Sequence, residues 1–202
     1  MYRNIWFIFI LSLLNCHGEN KFQVNDHMDD FNEIIEAVIR YDTLKVFKNN
    51  KENDVINDYL KKIPIVNPLK PHKDSLAFVT PPGSKTLDEL FYFSSADYKG
   101  FTDKESLYLL SQNSNPDSLK IPSQLLSKIK HLNNKQISRQ WEKGNCVPYY
   151  TFKIPIISKD RSKSYLEYYY NCGGLCGYGK GYFLERKNGK WNVTQKWLVW
   201  IS

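Results

Sequence analysis

The sequence is short of the residues that do chemistry in clusters. Its four histidines, His17, His27, His72 and His131, are scattered, so the two closely spaced ligand pairs of a structural zinc site cannot be drawn from them. There is no nucleophile elbow, no zinc-protease helix motif and no Walker loop, which removes the local signatures of the corresponding hydrolases and nucleotide-binding enzymes. Asp97, Asp103, Glu142 and Glu167 offer carboxylates, but no spacing marks a pair for glycoside cleavage. No internal repeat, low-complexity tract or second-domain boundary interrupts the chain. The apolar run Ile5 to Leu14 is too short to cross a bilayer as a helix. These absences leave no catalytic residue, metal or cofactor to nominate.

What the sequence does hold is aromatic and unevenly charged. Of 202 residues, 42% are hydrophobic and 24% charged, as in an ordinary globular domain. The aromatic share is 15% and clusters between Trp141 and Trp200, which points to a sheet, since aromatic side chains fill a half-buried pleated surface well. Residues 16–60 hold 5 basic and 10 acidic side chains, a net of −5, whereas residues 61–202 carry +11. An acidic start and a basic sheet can attract each other, or the basic side can meet an anionic surface.

The start of the chain has the layout of an export signal. Arg3 is followed by the apolar run IWFIFILSLL and then by Leu13-Leu14-Asn15-Cys16, so residues 1–15 read as a signal peptide. A cysteine directly after such a run resembles the lipobox of bacterial lipoproteins, in which that Cys is lipidated; Asn15 stands where Gly, Ala or Ser is usual. The alternative is ordinary cleavage near His17-Gly18. Either reading exports the protein, and nucleic acid is then a poor partner.

Along the chain, residues 16–25 read as a polar tether and 26–202 as one domain. Phe31, Ile34, Ile35, Val38 and Ile39 recur at helical spacing, with Asp26 as N-cap and Asp29, Asp30 and Glu33 near the positive end of the dipole. Val55, Ile56, Tyr59, Leu60 and Ile63 predict a second, shorter helix stopped by Pro64. Ser75–Thr80 reads as a strand, and Leu87–Phe93 as strand or helix. Thr102-Asp103-Lys104-Glu105 is a capping box, and Pro122 opens a helix through Leu125, Leu126 and Ile129. Strands are expected over 147–157, 165–171, 180–187 and 190–201.

Asn188-Gly189 between apolar-alternating runs predicts a type I′ hairpin, because both central positions need φ > 0. That turn places Arg186 opposite Trp191, Leu184 opposite Val193 and Tyr182 opposite Gln195. It puts Tyr182, Leu184, Trp191, Val193, Trp197 and Val199 on one face. If Leu166, Tyr168 and Tyr170 face the core, Tyr165, Glu167 and Tyr169 face out. The aromatics Tyr165, Tyr168, Tyr169, Tyr170, Tyr178 and Trp200 read as sheet packing, or as a carbohydrate or peptide platform.

Cys172 and Cys176 flank a tight turn, and in an exported chain they read first as a disulfide; Cys146 is the alternative partner. Gly173, Gly174 and Gly177, with Lys180 nearby, could cradle an anion, but the loop leads into a strand rather than a helix dipole. The other reading is turn glycines with φ > 0 and a bulge.

Ile154-Pro155-Ile156-Ile157-Ser158-Lys159-Asp160, Cys172-Gly173-Gly174-Leu175-Cys176-Gly177, Asn188-Gly189-Lys190-Trp191 and Trp200-Ile201-Ser202 together resemble the tails of small uncharacterised exported proteins, mostly lipoproteins, of Bacteroidota. The resemblance implies location and architecture only. The expectation is an α+β fold, with a helical N-terminal half packed on a C-terminal four-stranded antiparallel β-meander. The expected role is that of a non-enzymatic binding module, lipid-anchored at the outer membrane or periplasmic face, its partner an envelope protein or glycan. The alternative is a small envelope hydrolase, or a lipid- or glycan-handling enzyme, with its site between helices and sheet.

Overall fold

A computed structural model describes residues 22–51, 54–67, 81–92 and 100–202. The expected signal peptide, Cys16, the strand at Ser75–Thr80 and Asp97 lie outside the described residues.

In chain order the elements are α1 (Met28–Tyr41), β1 (Val55–Asn57), β2 (Tyr59–Lys61), β3 (Ile65–Val66), β4 (Lys85–Thr86), α2 (Leu87–Phe91), α3 (Ser106–Ser111) and β5 (Ser118–Lys120). There follow α4 (Ser123–Leu126), β6 (His131–Leu132), α5 (Asn134–Glu142), β7 (Tyr149–Phe152), β8 (Ile156–Ile157), β9 (Lys163–Gly173), β10 (Cys176–Lys187) and β11 (Lys190–Ile201).

The main sheet corrects the expected fold class. Among the described residues it has seven strands, in the order β11-β10-β9-β7-β1-β6 with β8 also on β9. The C-terminal strands are antiparallel, but β1 runs parallel to both β6 and β7. The sheet is therefore mixed, and the N-terminal half contributes a strand, β1, to it rather than only helices. The misread segment is Val55–Ile63. Its apolar spacing fits a helix, yet Val55 and Ile56 are β-branched, and β-branched side chains lose χ1 freedom in a helix and suit a pleated surface. Val55 pairs with Tyr149, and Ile56 lies between Tyr150 and His131.

Both faces of the sheet are covered. On one, α1 lays down Phe31, Ile34, Ile35, Val38 and Ile39, all fully buried, against Ile56, Phe152, Leu166, Tyr168, Tyr182, Leu184 and Trp191. Each such side chain contributes roughly 1.5–3 kcal/mol when fully buried. Asp26 does not cap α1; it sits in a 3-10 turn, Val24–His27, whose His27 takes the cap position. Phe22, within the stretch expected as tether, stacks on His27 at 4.5 Å. The opposite face packs Tyr165 and Phe183 with Ile63, Ile65, Leu87, Leu90, Phe91, Phe101, Leu109 and Ile156. Tyr165 and Glu167 accordingly point away from α1 yet are buried, a correction to the outward-facing reading. The capping boxes at Thr86 and Thr102 are both formed.

The β10–β11 hairpin turns on Asn188 and Gly189, with φ of 53° and 75°. Arg186 faces Trp191 and Leu184 faces Val193. Beyond that the register slips: Phe183 faces Gln195 and Tyr182 faces Lys196. Thr194 is the extra residue of a bulge, and its hydroxyl donates to the Phe183 carbonyl at 3.1 Å. One inserted residue exchanges the faces of the residues that follow it, here as far as Leu198, beyond which a second shift leaves Val199 unpaired between Leu198, opposite Lys180, and Trp200, opposite Gly179. Trp197 consequently leaves the α1 side and stacks on Tyr165 at 5.7 Å, while Lys196 takes its place facing α1.

Candidate functional site

The end of α1 and the bulged edge of β11 meet at Asp42. Thr43 has φ 53°, its N–H reaches the Arg40 carbonyl and that of Leu44 reaches the Ile39 carbonyl. This is a helix stop in which glycine is the usual left-handed residue. The stop turns the Asp42 side chain under the sheet, where it is 3% exposed. Its Oδ2 accepts from Tyr182 Oη at 2.7 Å, from Lys180 Nζ at 2.9 Å and from Tyr168 Oη; its Oδ1 accepts from Lys196 Nζ at 2.5 Å. Burial alone would raise the Asp42 carboxyl, but hydrogen bonds from Lys196, Tyr168, Tyr182 and Lys180 hold it far below the usual range. Burial, with the bond to Asp42, pushes both phenols well up.

A carboxylate has about four acceptor positions, and four donors converge on this one, three on Oδ2 and one on Oδ1. Asp42 is thus a structural anion that positions lysines rather than a general base. Each ammonium has three donors. Two lysines share one carboxylate, so the pair keeps an excess positive charge. Above them lies an open cleft of about 520 Å³, lined by Tyr41, Lys180, Thr194, Gln195, Lys196, Trp197 and Leu198. Among the described residues no acidic side chain lines it. Tyr41 and Leu198 are exposed, at 54% and 56%, and Lys196 lies 5.8 Å from the Tyr41 ring centre.

Two other buried carboxylates are also fully engaged. Asp30 is held by Arg161 at 2.6 Å and Arg186 at 3.1 Å. Despite its burial, the adjacent His27 ring and the hydrogen bond from Arg161 keep it below the usual range. Glu167, the buried one among the described carboxylates that the sequence nominated, accepts from Tyr165, from Tyr169 at 2.9 Å and faces Lys85 at 3.3 Å. Beside it Lys153 lies over the Tyr169 ring at 4.7 Å, and burial lowers its ammonium pKa. Asp103 and Glu142 are exposed on separate elements. The structure brings none of these carboxylates together as a pair.

The glycine-rich stretch is used mainly for close approach. Gly173 and Gly174 turn the chain at φ 99° and 55°. Gly177, Gly179 and Gly181 seat indole rings: a Cβ on Gly179 would meet Trp200 Nε1 at 2.3 Å, one on Gly181 would meet Trp197 at 2.7 Å, and one on Gly177 would meet Trp200 at 3.0 Å. Lys180, expected beside the turn, is instead drawn to Asp42. Cys172 and Cys176 form a disulfide-distance pair with Cα atoms 5.2 Å apart, and Cys146 is free and exposed. Of the aromatics, Tyr165, Tyr168 and Tyr182 are buried packing, while Tyr170 and Tyr178 stack half-buried at 5.2 Å.

Asp42 escaped sequence reasoning, although it left a signal. An aspartate directly after a helix stands at the negative end of the dipole, where an anion is disfavoured, so it calls for cations from elsewhere in the fold. Among the described residues no helix is long and apolar enough to cross a membrane. The chain matches no family model, no curated protein and no solved structure.

Proposed function

We propose that the protein is a non-enzymatic binding module of the bacterial cell envelope, tethered through a lipid on Cys16, and that its ligand is an anionic envelope glycan. The observation that supports this reading is the cleft at the outer edge of β11. It is wide and open, carries two lysines and, among the described residues, no acid, and places the exposed Tyr41 ring beside them. The lysines suit carboxylate or phosphate substituents, as point charges with several donors each, and the ring suits the apolar face of a sugar. Catalysis would need a titratable group free to exchange protons, whereas Asp30, Asp42 and Glu167 are each sealed by donors. The resemblance to exported lipoproteins and the Leu13-Leu14-Asn15-Cys16 sequence support the tether.

Titrating the full chain, solubilised in detergent, with a uronic-acid oligosaccharide and with a neutral oligosaccharide of equal length tests the ligand class. Saturable, salt-sensitive binding of the acidic compound alone is expected; equal response to both, or none, rejects it. Mass spectrometry of the mature N-terminus should find acyl chains on Cys16, and a soluble product beginning beyond Cys16 rejects the tether.

A further inference from the structure

Three of the four cysteines meet at the tip of the β9–β10 hairpin. Gly173 is paired directly across the ladder with Cys176, so the two residues present their side-chain positions to the same side of the hairpin. On that side lies Cys146: its Sγ is 3.3 Å, and its Cβ 3.6 Å, from where a Cβ on Gly173 would be. The missing side chain of Gly173 therefore leaves a gap that Cys146 fills, beside the Cys172–Cys176 pair. Cys146 and Cys176 are exposed and Cys172 is partly so, which makes both the thiol and the bond accessible to solvent, a property of labile rather than structural disulfides.

We infer that Cys146, Cys176 and Cys172 form an intramolecular thiol–disulfide exchange site, in which the hairpin-tip bond trades for a longer-range staple. The Cys146 thiolate attacks Cys176 Sγ, the Cys146–Cys176 bond forms as the Cys176–Cys172 bond breaks, and Cys172 leaves as a thiolate. The proton lost by Cys146 is balanced by the one Cys172 gains. One disulfide and one thiol are present before and after, so no oxidant or reductant is consumed. The first bond closes only the hairpin turn. The second ties the segment after α5 to the tip and closes residues 146–176, a loop that restrains far more of the unfolded chain.

The test uses the full chain with Cys16→Ser, so that only these three sulfurs take part. It is held without oxidant at a pH where ordinary thiols are about half ionised, roughly 8.5, then alkylated and mapped under non-reducing conditions. Both linkages are expected, Cys172–Cys176 and Cys146–Cys176, with the alkyl group divided between Cys146 and Cys172. Alkylation of Cys146 alone, at every incubation time, overturns the proposal. A second variant, Cys172→Ser in the same background, is treated with oxidised glutathione. It should form the Cys146–Cys176 bond within the monomer; glutathione left on Cys176, or a dimer linked through Cys146, shows that the sulfurs cannot meet and overturns it.

Discussion

Lys196 Nζ lies 2.5 Å from Asp42 Oδ1, which ties the edge strand of the sheet to the first residue beyond α1. The contact depends on the bulge at Thr194, because a regular ladder through the same residues would pair Thr194 with Phe183 and turn Lys196 the other way. A helix stop, a β-bulge and a buried carboxylate thus combine to aim two ammonium groups at one open cleft.

Asp42→Asn should lower stability by about 3 kcal/mol, the low end for breaking a buried ion pair, because both lysines keep contact with water. Its folded-state pKa is depressed, so its contribution is complete above the unfolded value of about 3.9 and is lost as pH falls toward the folded value. Urea unfolding followed from neutral pH into the acid range should show the wild type losing stability below about pH 4, with a flatter profile in Asp42→Asn. Parallel profiles for the two would contradict the assignment.

Gly179→Ala should cost about 1–3 kcal/mol through overpacking, since its methyl would meet the Trp200 indole. In a Trp200→Ala background the same change should cost much less. Thermal melting of the four proteins measures the coupling, and additive losses would mean that the ring is not seated on this glycine.

Trp191→Ala should cost about 3–5 kcal/mol. The ring is buried among the α1-facing residues, and Arg186 lies 5.6 Å from its centre. An unchanged melting temperature would place Trp191 outside the core.

How much of this was readable in the sequence differs from residue to residue. Asn188-Gly189 fixed its own hairpin, because few residue pairs tolerate two positive φ angles. The stripe from Phe31 to Ile39 marked α1, because a two-sided environment repeats every three to four residues. Val55–Ile63 was ambiguous, since a short apolar run fits either period and only pairing partners decide. The bulge left no mark: Thr194 is an ordinary strand residue, so Trp197 was assigned to the wrong face. The second layer was hidden for a related reason, since alternation tells which residues share a face but not whether the other face is covered. The cleft inherits the bulge's difficulty, being assembled from the end of α1, β10 and the shifted part of β11.

Deleting Thr194 isolates the bulge. It should straighten the strand while leaving Gln195 opposite Phe183, Lys196 opposite Tyr182 and Trp197 opposite Gly181, so that amide exchange protection is kept over both 195–201 and 163–173. A fall in protection confined to 195–201 would show that the edge strand needs the bulge itself to hold its place.

The measurement that bears most directly on the proposed role is a residue-resolved footprint of the ligand. Backbone amide resonances of the full chain in detergent would be followed by NMR during titration with the uronic-acid oligosaccharide. The account predicts saturable shifts centred on Tyr41, Lys180 and Thr194–Leu198, weakened by salt and absent with the neutral oligosaccharide. Shifts elsewhere that leave these residues unmoved, or the same response to the neutral compound, would contradict it.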